Sequence, residues 1–277
     1  MKKTMFMFAA ALLMVACSNE DVAVNDDVKY VTELKLNFGS GDSRIAATHS
    51  TAGLNFAWEQ GDEIKIFQNR EGYSASVYYV YDKTSESFKP KTSVAMQEGT
   101  DYFAVMMPSS ICNVANEGTD NVQVELKLDN NISMKTLPLI SDVFTADAGG
   151  TIATMHHLVG MVEIPVKLED GATFTTISEF SLSASGGKLG NNFTAKPMSP
   201  YIKDTSIGSN YAYENEGPYT LNTTTATSVF IPVLPGTHND VKLNYFYDES
   251  SKQVSLGNIT VVRGKITKVA ETTVDPD

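Results

Sequence analysis

Val122-Gln123-Val124-Glu125-Leu126-Lys127-Leu128 alternates apolar and polar residues without a break. Successive side chains on an extended chain point to opposite faces, so four aliphatic groups share one face while Gln123, Glu125 and Lys127 take the other. A helix, with a period of 3.6, would spread the same residues around its circumference. The stretch is therefore a half-buried β-strand. The same period governs the chain on both sides of it. Leu34, Leu36 and Phe38 alternate with Lys35 and Asn37, and further strands are predicted over 63–68, 76–81, 102–106, 158–168, 173–183, 227–233, 241–247 and 258–269. No long stretch repeats apolar residues at i, i+3, i+4 and i+7. Parallel α/β folds need helical crossovers, so short strands parted by Gly, Pro, Asn and Asp clusters have the spacing of sandwiches and Greek-key barrels, and predict an all-β protein with the β-sandwich as the default. Two breaks stand out: Asp147 to Gly150, and the polar stretch from Gly186 to Tyr213. The second exceeds ordinary connection lengths, and so is either partly structured or a binding surface. A domain boundary is expected near residue 155.

Length and charge narrow the classes further. The 277 residues suit one large or two modest domains, and two β domains are expected. A formal net charge of −12 disfavours nucleic acid as a partner.

The amino-terminal region has a different character. Lys2 and Lys3 precede an apolar run from Met5 to Ala16, and Leu13-Met14-Val15-Ala16-Cys17 follows with a small residue before the cysteine. This resembles a bacterial lipoprotein signal, the alternative being an ordinary secretory signal. The run is well short of the roughly 20 residues that span a bilayer as a helix. Residues 1–16 are thus expected to be a signal peptide, with Cys17 acylated and several acyl chains giving a stable hold on the outer membrane. With Cys17 lipidated, Cys112 has no partner in the chain, and no disulfide framework is expected. Cys112 reads as a small buried hydrophobe.

Residues 28–38 carry the pattern of a strand that covers an exposed sheet groove, with Val31, Leu34, Leu36 and Phe38 as its packing residues. Gly39-Ser40-Gly41-Asp42-Ser43 follows and ends at Arg44, one of three arginines with Arg70 and Arg263. Such a polar stretch is a good substrate for proteolysis.

Catalytic readings find no support. Gly39-Ser40-Gly41 and Gly186-Gly187-Lys188 lack both the spacing and the following helix of nucleotide-binding loops. Gly-x-Ser-x-Gly is absent, and the carboxylates are scattered. His156 and His157 are adjacent on a strand, so they face opposite ways and cannot readily share a metal. One is expected to be buried near the domain junction and the other exposed. No enzyme activity, cofactor or metal is expected.

Four segments, in order, carry a resemblance to a known family: Arg44; Trp58-Glu59-Gln60-Gly61-Asp62-Glu63-Ile64; Met155-His156-His157-Leu158-Val159-Gly160; and Ile259 to Val269 around Gly264. Together they resemble fimbrillins, the lipoprotein pilin subunits of Bacteroides-type fimbriae, or type V pili. Ser18-Asn19-Glu20-Asp21 looks like the acidic tract that directs lipoproteins of such bacteria to the outer face. The resemblance implies two tandem transthyretin-like Greek-key β-sandwich domains, here 45–155 and 156–277, behind a pro-segment at 17–44. It also implies cleavage between Arg44 and Ile45 by an arginine-specific protease, and polymerisation with other pilin subunits by donor-strand exchange, in support of adhesion. The donor strand is expected from 258–273 rather than from an added tail. A subunit whose C-terminal strand stays locked in its own domain would accept without donating, as a pilus tip does. The alternative is a non-polymerising surface lipoprotein that binds a glycan or host protein, for which Tyr201, Tyr211, Tyr213 and Tyr219 offer a candidate surface.

Overall fold

The computed structural model describes residues 28–38, 58–70, 75–106, 112–115, 123–128, 137–172, 176–205, 208–213 and 217–276. Among these residues there are strands and turns and no helix. The first half contains β1 (Tyr30–Val31), β2 (Leu34–Phe38), β3 (Glu63–Gln68), β4 (Ser76–Asp82), β5 (Ser87–Pro90), β6 (Met96–Gln97) and β7 (Asp101–Met106). β8 (Cys112–Ala115), β9 (Gln123–Leu128), β10 (Leu139–Ser141), β11 (Phe144–Thr145) and β12 (Thr151–His157) follow.

Seven of these strands close into a ring, in the order β10-β12-β2-β5-β4-β3-β7 and back to β10, with β11 beside β7. The closing contact pairs Leu139 with Met106 and Ile140 with Val105. Strand spacing fits a sandwich or a Greek-key barrel, and the default expectation here is a sandwich of two separate layers. The short β10 instead pairs on both sides, with β12 and with β7, and joins what would have been two sheets. Inside the ring lies a core that includes Ile64, Ile66, Tyr79, Phe88, Met96 and Met155.

The second half contains β13 (Gly160–Leu168), β14 (Thr176–Ile177), β15 (Glu179–Ser183), β16 (Gly190–Ala195), β17 (Ile202–Asp204), β18 (Gly208–Ser209) and β19 (Tyr211–Tyr213). Then come β20 (Tyr219–Thr220), β21 (Thr227–Val233), β22 (Gly236–Tyr247), β23 (Ser250–Val261), β24 (Ile266–Lys268) and β25 (Thr272–Val274). One sheet runs β21-β13-β24, with β25 also on β13; another runs β19-β15-β22-β23. They enclose one core to which β13 brings Val162, Ile164 and Val166, and β22 brings Val241 and Leu243. β13 carries a proline in a strand paired on both sides, which is ordinarily unfavourable. Pro165 falls between the last residue that β24 pairs, Glu163, and the first that β25 pairs, Val166, where the parallel partner is interrupted.

Several elements differ from expectation. The 186–213 stretch is not a plain loop: it carries β16 to β19. β16 pairs with β9, so a sheet β17-β16-β9-β8 joins segments from either side of residue 155, and residue 155 itself lies inside β12. The single strand expected over 158–168 begins only at Gly160, after a break at Leu158 and Val159. That expected over 258–269 turns at Arg263 and Gly264. β12 and β5 had no strong alternating signal.

The halves also share a core. β7 is apolar at every position from Tyr102 to Met106; Tyr102, Ala104 and Met106 face the ring interior, and Phe103 and Val105 face outward. Phe103 stacks on Phe67 with centroids 5.4 Å apart. Leu158, Met161, Phe193 and Leu234 of the second half cover this outward patch.

Candidate functional site

The strand 34–38 is seated in the ring between β12 and β5. Its pairing with β12 is parallel, setting Leu34 against Thr151, Leu36 against Ala153 and Phe38 against Met155. Its pairing with β5 is a single antiparallel match, Leu34 to Phe88. Val31 is 1% exposed, Leu34 0% and Leu36 8%, all in the ring core, with Phe38 packed at its margin. Burying four such groups contributes on the order of 6–12 kcal/mol gross, before conformational entropy. Ahead of β2, Tyr30 and Val31 pair with Gln97 and Met96, and the Glu98 amide donates to the Lys29 carbonyl.

Two aromatic side chains hold this segment by its backbone. The Tyr79 hydroxyl donates to the Val31 carbonyl at 2.5 Å and accepts from the Met96 amide at 3.0 Å. Burial pushes the Tyr79 phenol up to about 12, so it stays a donor at any physiological pH. The Trp58 indole N–H points at the Leu36 carbonyl at 3.4 Å, while its ring stacks on Phe38 at 5.1 Å and meets Phe88 edge-on at 4.8 Å. The turn that positions Trp58 explains the residues after it. Gly61 has φ +91°, the Asp62 carboxylate accepts from the Glu59 amide at 2.8 Å, and the Asp62 carbonyl accepts from the Tyr81 amide, which starts β3 beside β4.

Sequence reasoning did not single out Tyr79. The run Val77-Tyr78-Tyr79-Val80-Tyr81 puts aromatic and aliphatic residues on both faces, so period two cannot say which tyrosine is inside. In the structure Tyr79 is 0% exposed and Tyr78 is 39% exposed.

Cys17, Arg44 and Ile45 lie outside the described residues. Of the two other arginines, Arg263 is held by its side chain and Arg70 is exposed. The Arg263 guanidinium donates to the His157 carbonyl at 2.9 Å and sits 4.6 Å from the Tyr201 ring centroid. The next residue, Gly264 (φ +68°), donates to the Val159 carbonyl. The Arg70 amide donates to the Gln68 carbonyl at 2.9 Å. Cys112 lies in β8, opposite Leu126 of β9.

A polar knot stands at the junction of the halves. Asp142 accepts from the Tyr201 hydroxyl at 2.8 Å and lies 2.9 Å from Nε2 of His156, whose ring stacks on Tyr201 at 4.4 Å. His157 is fully buried, as expected of one histidine of the pair. His156, expected to be exposed, is instead largely covered, because Tyr201 and Asp142 close over it. Among the described residues no cluster of three or more His, Cys, Asp or Glu could hold a metal ion. The tyrosines of the 201–219 region do not act as one surface. Tyr201 is 7% exposed, Tyr219 packs on Phe180 and Tyr211 is 48% exposed.

The C-terminal strand is docked on its own half. β25 lies parallel to β13, with Thr272 and Val274 buried. The Tyr245 hydroxyl donates to the Asp275 carbonyl at 2.9 Å, and Lys167 pairs with Glu271 at 2.7 Å.

No protein-family model and no curated protein matches the chain. Solved structures do. A Bacteroides ovatus protein provisionally named for cell adhesion superposes with TM-score 0.56 at 13% identity, over 89% of this chain and 93% of that one. A protein of Bacteroides uniformis, named in the same way, gives TM-score 0.50 at 13% identity, over 91% and 94%. A fimbrial protein of Bacteroides vulgatus gives TM-score 0.40 at 13% identity, over 88% and 93%. At such identity the likeness is one of fold. The chain thus has an all-β fold shared with solved Bacteroides proteins named for adhesion.

Proposed function

We propose that the protein is a fimbrial subunit, exported as a lipoprotein through Cys17, cleaved between Arg44 and Ile45, and assembled by donor-strand exchange at the cell surface. The observation that carries the reading is the seat of residues 28–38. A segment lying before Arg44 in the chain supplies the strand between β12 and β5, with Val31 and Leu34 fully buried. Its removal would leave unpaired backbone on both neighbours and an apolar gap, which an extended strand of another subunit can fill. The fimbrial and adhesion names among the fold neighbours support the same surface role, and the two halves serve as the tandem domains of such a subunit. Partners are other pilin subunits, an arginine-specific protease, and the outer membrane through lipid before maturation. Because β25 is docked on β13, an outgoing donor strand must first leave that sheet, which suits a subunit that accepts more readily than it donates.

Amino-terminal mass spectrometry of surface material tests the reading. Assembled protein should begin at Ile45. Material that keeps acylated Cys17 throughout would rule out polymerisation by this route.

A second reading, a surface lipoprotein that stays monomeric and binds a glycan, draws on a cavity of about 210 Å³ flanked by Tyr30, Gln68, Gln97 and Tyr102. Tyr30 belongs to the removable segment, so this cavity is complete only before cleavage. A single band on denaturing gels from surface material that keeps residues 28–38 and binds glycan would favour it over the pilin.

A further inference from the structure

The cavity of about 210 Å³ lies between the β1–β6 ribbon and strands β3, β4 and β7 of the ring. Tyr30 and Gln97 are direct partners across the ribbon and share one of its faces. On the ring, Ile66 pairs with Val77 and Gln68 with Tyr102, so these four present a common face. The Tyr102 hydroxyl accepts from the Gln97 amide at 3.0 Å and ties the two walls together. Tyr30, 57% exposed, stands at the rim. The mouth of a β-barrel is a common place for a ligand, and the lining here selects a chemistry. No side chain in it carries a formal charge, so a charged ligand would leave water with no opposite charge to meet it. A purely apolar ligand would strip water from Gln68, Gln97 and Ser76 and replace none of its hydrogen bonds. What fits is an uncharged ligand with an apolar face for Tyr30, Ile66 and Val77 and hydroxyl groups around its edge. A hydroxyl both donates and accepts, and so serves either end of a glutamine amide. The volume is that of about seven waters in the liquid, room for one sugar ring.

We propose that this cavity binds a single uncharged pyranose, the end unit of a neutral glycan, and that an occupied cavity holds residues 28–38 on the ring. The ligand class rests on the glycan-binding reading and narrows it to one ring; the hold on residues 28–38 needs neither cleavage nor polymerisation. A sugar that touches Tyr30 and Gln97 on one side and Gln68 and Val77 on the other is bound only while β1 is seated. By linkage it opposes the departure of β1, by a factor of one plus the ratio of its concentration to its dissociation constant. Tyr30 is the residue through which the two events are coupled, because it belongs both to the cavity and to the segment that would leave.

The test uses the intact full-length chain and the methyl glycosides of glucose, galactose, mannose and N-acetylglucosamine, with methyl glucuronide as the charged comparison. Binding is read by saturation-transfer nuclear magnetic resonance. At least one neutral glycoside should bind, and Tyr30→Ala and Gln68→Ala should each weaken it about tenfold, the size of one stacking or hydrogen-bond contact. Tyr30 is exposed and Gln68 half-buried, so neither change empties a core, and unaltered hydrogen exchange of β13 and β21 shows that the variants fold. Tyr211→Ala, at an exposed tyrosine of the second half, should leave binding unchanged. Hydrogen exchange over residues 30–36 is then followed by mass spectrometry with the glycoside at ten times its wild-type dissociation constant. It should slow about tenfold in wild type and only about twofold in Tyr30→Ala. If no neutral glycoside binds wild type, the glycan reading fails and the proposal fails with it. If one binds and both cavity variants bind it as wild type does, that reading stands and this cavity is overturned as the site. Equal binding of the glucuronide overturns the uncharged class, and unchanged exchange over residues 30–36 in liganded wild type overturns the hold on the segment.

Discussion

Single residues decide how tightly this molecule closes. Leu34 sits at the only β2–β5 pairing and is fully buried, so Leu34→Ala removes transfer energy and leaves a cavity. A loss of about 2–5 kcal/mol is expected in urea unfolding of the intact chain, and a loss below about 1 kcal/mol would show that the seat matters little. Gly160 is a different case. A Cβ there would lie 2.5 Å from both the Val261 side chain and the Val262 carbonyl, where β13 begins under the 262–265 turn. Backbone cannot retreat as a side-chain tip can, so Gly160→Ala should destabilise by roughly 1–3 kcal/mol or more, measured in the same way. His238 gives a pH signature. Burial holds its imidazole below the ordinary value, and Nε2 donates to the Leu234 carbonyl at 2.9 Å, as only a protonated ring nitrogen can. The unfolded chain takes up a proton near pH 6.5 and the folded chain resists it. The resulting stability is complete above that pH and is lost as pH falls through 6.5 toward the lower folded value. Urea midpoints at pH 7.5 and 5.5 should differ less in His238→Gln than in wild type; identical slopes would remove His238 from the account.

Whole strands carry the division of labour. β2 and β25 both pair in parallel with the strand beside them, β12 and β13 respectively, and each is short. Their attachments differ. β2 is held by core side chains and two carbonyl contacts, whereas β25 adds the Lys167–Glu271 pair and the Tyr245 contact to Asp275. Those surface charges contribute little, so burial of Thr272 and Val274 is what keeps β25 docked. Val274→Ala should cost about 1–3 kcal/mol and raise hydrogen exchange across β13 from Val166 to Leu168. Unchanged protection there would mean that β25 is free to leave without disturbing its sheet. The elements also show where period two ran short as a guide. Val124, Leu126 and Leu128 promised an ordinary hairpin strand, and β9 does pair with β8, but its other neighbour is β16, some sixty residues away. Local pattern fixes that a strand exists and which face is apolar. The neighbour is a matter of which distant edge it can reach.

At the scale of the molecule, the outward face of β7 and the knot at Tyr201 make the two halves dependent on each other. Phe67, Phe103 and Val105 would be exposed apolar surface without Leu158, Met161 and Phe193. Tyr201 joins this core and also binds Asp142, His156 and Arg263. A single cooperative unfolding transition is expected by calorimetry, with Tyr201→Ala lowering stability by about 3–5 kcal/mol and splitting the transition in two. One unsplit transition in that variant would place the coupling elsewhere in the shared core. The near-continuous apolar run from Tyr102 to Met106 was a legible sign of a strand buried on both faces. Nothing in it named the second half as the cover.

Alternation by itself determined that this chain is all β and that residues 34–38 form a strand with Leu34 and Leu36 on its buried face, because both follow from the two-residue period. Only the tertiary structure decided that the first sheet closes on itself, that the 186–213 stretch is built of strands, and that Tyr79 rather than Tyr78 grips the amino-terminal segment. Each of these depends on contacts between residues far apart in the chain, and a local period carries no information about which distant partner will complete a backbone edge or cover an apolar face.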